Sequence, residues 1–150
     1  MQWLVKRFSD LDINLMFDVL KARVDVFVVE QQCPYPELDE VDRHKLTRHL
    51  MLVEQGQVCA YARVYAKSAH ECAIGRVLIV KEHRGKGLAK DLMRQALEIC
   101  NSEFKERDIV LSAQVYLLPF YSSLGFVPQG DEYLEDGIAH RDMRLGRALA

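Results

Sequence analysis

The sequence predicts one mixed α/β domain spanning residues 1–150, and three observations lead there. Segments of strand and helix character follow one another as β-α-loop-β-β-β-α-β-α-β-β. The 150 residues are 49% hydrophobic and 28% charged, an ordinary composition for a globular unit with its own core. Residues 77–91, VLIVKEHRGKGLAKD, read as a buried strand, a basic glycine loop and the first turn of a helix.

Each element has its own warrant. Residues 2–8 carry the first strand, QWLVKRF. Ser9 then offers an N-cap, with Asp12 three positions on. Ile13, Met16, Phe17, Leu20, Val24, Phe27 and Val28 follow the helical period and predict the buried face of a helix. Pro34 and Pro36 forbid its continuation past residues 30–32. Residues 33–48 have no single period. Glu37, Asp39, Glu40 and Asp42 are followed there by Arg43, His44, Lys45 and Arg48. Composition favours a solvated surface loop with a helical turn, and the alternative is an acidic wall over a site that receives a cationic group.

Strands at 49–54 and 57–65 flank the hairpin signal Gln55-Gly56, and a loop at 67–70 leads to a strand over 72–81. The helix after the glycine loop places Leu88, Leu92, Ala96, Ile99 and Cys100 on one face. Asp108 precedes another strand, IVLSAQ. Pro119 suits the start of a short helix and Gly125 its stop. Two extended segments, 126–134 and 138–145, close the chain around a turn at Glu135, Asp136 and Gly137.

Charge and cysteine content narrow the function. A net charge of −2 exerts no general pull on nucleic acid or an anionic membrane, and basic and aromatic residues do not interleave. The cysteines at 33, 59, 72 and 100 form no CxxC pair and read as reduced, packed thiols. The first residues are too soon charged for a signal peptide, and no apolar run reaches the length of a membrane span. A cytoplasmic location is therefore expected. His44 and His49 are not at a helical ligand spacing of three or four, and no metal is expected.

The loop at 84–90 carries the first chemistry. Gly85 and Gly87 permit close backbone approach, and the helix opening at about Leu88 aims unpaired N–H groups back into the loop. Arg84, Lys86 and Lys90 converge there with the positive end of the helix dipole. This is a site for a small phosphorylated ligand. It is no Walker loop, because no Gly-Lys-Ser/Thr follows, and no dinucleotide fingerprint, because position 90 is Lys. The bland alternative is a basic strand-to-helix turn that binds nothing.

The stretch resembles the coenzyme-A loop of the GNAT acetyltransferases, Arg/Gln-x-x-Gly-x-Gly/Ala, matched by Arg84, Gly87 and Ala89. Residues 111–126, LSAQVYLLPFYSSLGF, resemble the family's second signature, with Tyr121, Leu124, Gly125 and Phe126 matching its FYxxLGF end. Gln114 stands where the usual residue is Asn, and Leu117 where it is Ala. The segment VFVVEQQCPYPELD, Arg23 upstream of it and the late GIAHRDMRL are similar to the ElaA-type branch.

The resemblance implies a GNAT-like fold with a single central, mostly antiparallel sheet of about six to seven strands flanked by helices. It implies acetyl transfer from acetyl-CoA to a small-molecule or peptide amine by direct attack, in a monomer or homodimer. The coenzyme would lie against Val77, Leu78, Ile79 and Val80, and its pyrophosphate on Arg84, Gly85, Lys86, Gly87, Leu88, Ala89 and Lys90, with Gln114 and Phe120 also in contact. A backbone N–H near Leu78 or Ile79 would polarise the thioester oxygen. Tyr121 is the candidate acid for the departing thiolate; its alternative is an aromatic packed beneath the sheet. His140 and Glu30 lead as candidate bases, ahead of His49, and a water-mediated base would leave no motif. Cys33 as an acyl-carrying nucleophile has no legible His partner. A protein of the same fold that binds acyl-CoA as a sensor or scaffold, without turnover, is the alternative function.

Overall fold

The computed structural model describes residues 1–146. Seven strands form one sheet: β1 (Gln2–Lys6), β2 (Arg48–Glu54), β3 (Gln57–Ser68), β4 (Glu71–Ile79), β5 (Asp108–Gln114), β6 (Val127–Glu135) and β7 (Ile138–Leu145), in the order β1-β2-β3-β4-β5-β7-β6. Every pairing is antiparallel except β4 with β5. Among the described residues three α-helices accompany it: α1 (Ile13–Arg23), α2 (Leu88–Glu103) and α3 (Leu118–Ser122).

Side chains alternate across the sheet, and each face buries its own core. Leu50, Leu52, Leu92, Met93, Ile109 and Phe126 lie in the larger cluster, beneath α2 and α3. Met51, Tyr61 and Leu78 face the other way and meet Val19, Ala22 and Val26. Of the expected apolar face of α2, Leu92, Ala96, Ile99 and Cys100 are buried and Leu88 is partly buried against the same cluster. Both hairpin turns form as read, with Gln55 and Gly56 at φ +50° and +75°, and Asp136 and Gly137 at +50° and +79°.

Three readings are corrected. The N-cap of α1 is Asp12, whose carboxylate accepts from the Leu15 N–H at 2.8 Å, while Phe8–Asp10 forms a separate 3₁₀ turn. The helix also buries a different face. Ile13 and Phe17 are 84% and 64% exposed, whereas Val19, Ala22 and Arg23 turn inward, and the chain continues as a π-helix over Val24–Glu30. The helix rolls this way because Arg23 has buried partners. Its guanidinium donates to Glu37 Oε2 at 2.6 Å, to Asp42 Oδ1 at 2.7 Å and to the Glu37 carbonyl at 2.9 Å.

The third correction follows from the second. Residues 33–48 form the expected helical turn, Glu40–Arg43, and are largely exposed, but Glu37 and Asp42 are each only 4% exposed and face the interior. Arg63 donates to Asp39 and Asp42, and Arg76 donates to Glu37 Oε2 at 2.8 Å. Burial alone would raise the Asp42 carboxyl, but hydrogen bonding and charge from Arg23 override it and hold the pKa at about 2. His49 belongs to the same interior. Its Nε2–H donates to the Asp42 carbonyl at 3.0 Å, which leaves Nδ1 to accept from the Tyr61 hydroxyl at 2.6 Å. Burial pushes its pKa down, so the ring is neutral.

Candidate active site

The parallel pair creates the site. β4 and β5 are joined only at Glu71 with Asp108, Cys72 with Ile109, and Ala73 with Val110. Beyond Ala73 the two strands separate, and their facing backbone edges are left open. A bulge drives β4 away. Tyr61 opposes Leu78 and Arg63 opposes Gly75, so β4 has one residue too many, and Arg76 takes φ +51° to absorb it. At the closed end Arg144 donates to Asp108 Oδ2 at 2.7 Å and also to Glu71, which ties β7 to both strands.

A cavity of about 1000 Å³ occupies the divergence. Val77, Leu78 and Ile79 line one wall, and Gln114, Phe120, Tyr121 and His140 also border it. Its upper end reaches Arg84, Gly85, Gly87, Leu88 and Ala89. Val80 instead turns back to β3, donating its N–H to the Cys59 carbonyl at 2.9 Å. Lys86 and Lys90 are exposed beside the loop.

The loop is shaped for an anion. Gly87 is the N-cap of α2 at φ +77°, and no side chain caps the helix. A Cβ built at Gly85 or Gly87 would meet no heavy atom within 4 Å. The first-turn N–H groups therefore border open space of the kind in which a helix N-terminus can receive an anion. Arg84 is held aside. It chelates Glu30 through two hydrogen bonds of 2.7 and 3.0 Å and donates to the Ile79 carbonyl at 2.9 Å. Arg84 in turn holds the Glu30 carboxyl below its ordinary pKa.

Deeper in the cleft, Tyr121 is 6% exposed and sits edge-on to Phe120 and Phe126. Burial pushes its hydroxyl up to a pKa of about 12, so it stays protonated at neutral pH. Across β5, Gln114 pairs with His140 in register, and its amide reaches Gln31 Oε1 at 3.4 Å. His140 Nδ1 lies 2.7 Å from the Ile138 carbonyl, a geometry that fixes the proton on Nδ1. Nε2 faces Glu135 Oε2 at 3.4 Å. Ser112, Gln114, His140 and Asp142 share a sheet face that joins neither apolar cluster.

Two groups at this cavity, Arg76 and Glu135, have no site signature in the sequence, and Gln31 and Tyr35, which lie within the VFVVEQQCPYPELD segment, line it too. Cys33 Sγ donates to the Asp136 carbonyl at 3.2 Å, joining the segment after α1 to the β6–β7 turn across 103 positions. Only proximity in the folded chain reveals such partners. His49 lies outside this cavity.

A sheet parted between two parallel strands, with an uncapped helix N-terminus at the mouth, is the architecture of an acyl-CoA-binding transferase. The sequence profile of the Acetyltransferase (GNAT) domain matches residues 18–147, and the chain belongs to that family. GNAT enzymes use acyl-CoA as co-substrate and act on small-molecule or peptide acceptors. A UPF0039 protein of Schizosaccharomyces pombe is 43% identical over 97% of both chains. A crystal structure of an acyl-CoA N-acyltransferase from Pseudomonas aeruginosa superposes with a TM-score of 0.91 at 39% identity, covering 95% of this chain and 97% of that one. The crystal structure of Escherichia coli ElaA gives the same TM-score at 35% identity, covering 96% and 99%. The ElaA-type resemblance thus holds in both sequence and structure. No helix among the described residues is long and apolar enough to cross a membrane.

Proposed function

We propose that this protein transfers an acetyl group from acetyl-CoA to an amine by direct attack. The observation that carries the reading is a buried, protonated Tyr121 on the same cleft as the open loop at Gly85 and Gly87. The loop's N–H groups hold the pyrophosphate. The open edge of β4 pairs with the amide-like pantetheine arm, which brings the thioester to the cleft. A backbone N–H near Leu78 or Ile79 polarises its carbonyl.

The acceptor must shed a proton first, because an alkylamine has a pKa of about 10.4. His140 supplies the base. Its ring borders the cavity, and Glu135 beside it steadies the imidazolium that forms. Glu30 suits a different task, because a carboxylate chelated by Arg84 is a weaker base than a solvated one. It positions Arg84 at the loop. Tyr121 then donates its proton to the leaving thiolate.

Tyr121→Phe tests the assignment. The ring and its packing against Phe126 remain, so acetyl-CoA affinity should stay within a few-fold of wild type. Turnover with a confirmed acceptor should fall by about 10²–10⁴. Turnover within a few-fold of wild type, with chemistry rate-limiting, removes Tyr121 from the mechanism. Tight acyl-CoA binding without release of CoA thiol across an amine panel would instead mark a sensor.

A further inference from the structure

A second cluster of reactive side chains lies where the start of β3 meets the segment ahead of the glycine loop, and the argument for it does not rest on the acyl-transfer reading. Glu54 ends β2, Cys59 lies just past the following hairpin turn, and His83 closes the 3₁₀ turn Lys81–His83 ahead of the glycine loop. Their spacing in the chain has no ligand pattern. The fold nevertheless brings one oxygen, one sulfur and one nitrogen within 4.8 Å of one another. Cys59 is fully buried, and Glu54 and His83 are half-buried.

Two features point to a ligand. Among the described residues His83 Nδ1 is buried and has no hydrogen-bond partner, an arrangement that folded chains rarely leave uncompensated. The Cys59 thiol donates to the Gln57 carbonyl at 3.6 Å and lies against the Glu54 backbone, so it sits at the same junction as the carboxylate of Glu54. The donor set of thiolate, imidazole and carboxylate is the borderline mixture that zinc favours. Its charge also balances: a thiolate and a carboxylate neutralise a divalent cation, and the imidazole adds none.

We propose that Glu54, Cys59 and His83 form a three-ligand site for a zinc-type divalent cation, with a fourth position left for solvent. Bond lengths of about 2.0–2.3 Å set ligand atoms roughly 3.3–3.6 Å apart, so side-chain rotation need close the cluster by only about 1 Å. Binding forms a metal–sulfur bond and releases the Cys59 proton to solvent. The cation joins the β2–β3 hairpin to the segment that leads into Arg84. The Val80 N–H to Cys59 carbonyl bond already links the same two segments. His83 also borders the acyl-CoA cavity, so the tether steadies the coenzyme loop.

Cobalt(II) titration of metal-free protein is the test. One equivalent should bind, with a thiolate-to-cobalt charge-transfer band that zinc(II) bleaches and with release of one proton. Cys59→Ala and His83→Ala should each weaken binding by about a hundredfold or more, whereas Cys33→Ala should leave the band intact. Circular dichroism confirms that each variant folds. Should Cys59→Ala fail to fold, His83→Ala and Glu54→Gln carry the comparison. Zinc should also slow amide exchange over residues 81–87. Absence of the sulfur band, or its persistence in Cys59→Ala or His83→Ala, overturns the site. Unchanged exchange over residues 81–87 with metal bound overturns the tether.

Discussion

Replacing Gly87 by alanine separates the fold from the coenzyme site. At φ +77° an L-residue is strained by about 1–2 kcal/mol, small beside the 5–15 kcal/mol of a typical domain. A Cβ there meets no protein atom within 4 Å, so no packing is lost. The methyl instead enters the space over the first turn of α2. If it displaces two charge-assisted hydrogen bonds, each worth about 1.5–3 kcal/mol, the loss is about 3–6 kcal/mol. That corresponds to roughly 10²–10⁴ in dissociation constant. The assay is calorimetric titration of CoA into wild type and Gly87→Ala, with urea unfolding in parallel. Turnover with acetylpantetheine, which lacks the pyrophosphate, should change only a few-fold. Affinity for CoA near wild type in a cooperatively folded Gly87→Ala protein would falsify the loop's role.

Other perturbations address the surroundings of the cleft. Arg23→Met keeps volume but leaves Glu37 to Arg76 and Asp42 to Arg63 alone, and urea unfolding should register about 1.5–3 kcal/mol of destabilisation; a loss under about 0.5 kcal/mol contradicts the buried network. Acidification should destabilise the protein in two stages. Burial depresses the folded His49 pKa from 6.5, so the unfolded chain binds a proton the folded one refuses, and stability falls as pH drops below about 6.5. Asp42, held at about 2 against 3.8, adds a loss between about pH 4 and 2. Melting temperatures across this range, with His49→Gln erasing the first stage, check the assignment; a profile flat from about pH 7 to 5 refutes it. Glu30→Gln should raise KM for acyl-CoA with kcat kept within a few-fold, whereas a drop in kcat of about 10²–10⁴ would make Glu30 the base.

What could be read from the chain follows the range of the forces involved. Local signals were legible. The two hairpin turns, the buried stripe of α2 and the glycine at the α2 N-cap each depend on residues a few positions apart. Long-range compensation was not. Arg23 turns inward because Glu37 and Asp42, 14 and 19 residues away, pair with it, and a periodicity of apolar residues is blind to that. The bulge at Arg76 was hidden too, because a positive φ at a non-glycine residue leaves no compositional trace. At the candidate site the loop and Tyr121 lie within short motifs. The tautomer of His140 depends on Ile138, and its second partner, Glu135, lies across a hairpin.

The charged segment and the cleft form a single arrangement. Buried ion pairs add little net stability relative to apolar packing of the same volume. What they fix here is direction. Arg76 occupies the strained residue of the β4 bulge, and its guanidinium is anchored by the side chain and carbonyl of Glu37. Arg23 grips the same carboxylate and carbonyl from α1. The bulge is thus braced from outside the sheet, while Arg144 pins Asp108 and Glu71 at the vertex. One end of the β4–β5 pair is locked shut and the other is held bent away. An opening maintained by strain alone would close onto any backbone partner, since unpaired N–H and C=O groups seek one. Braced at both ends, it keeps those groups available, as the proposed pairing with an amide-bearing pantetheine arm requires.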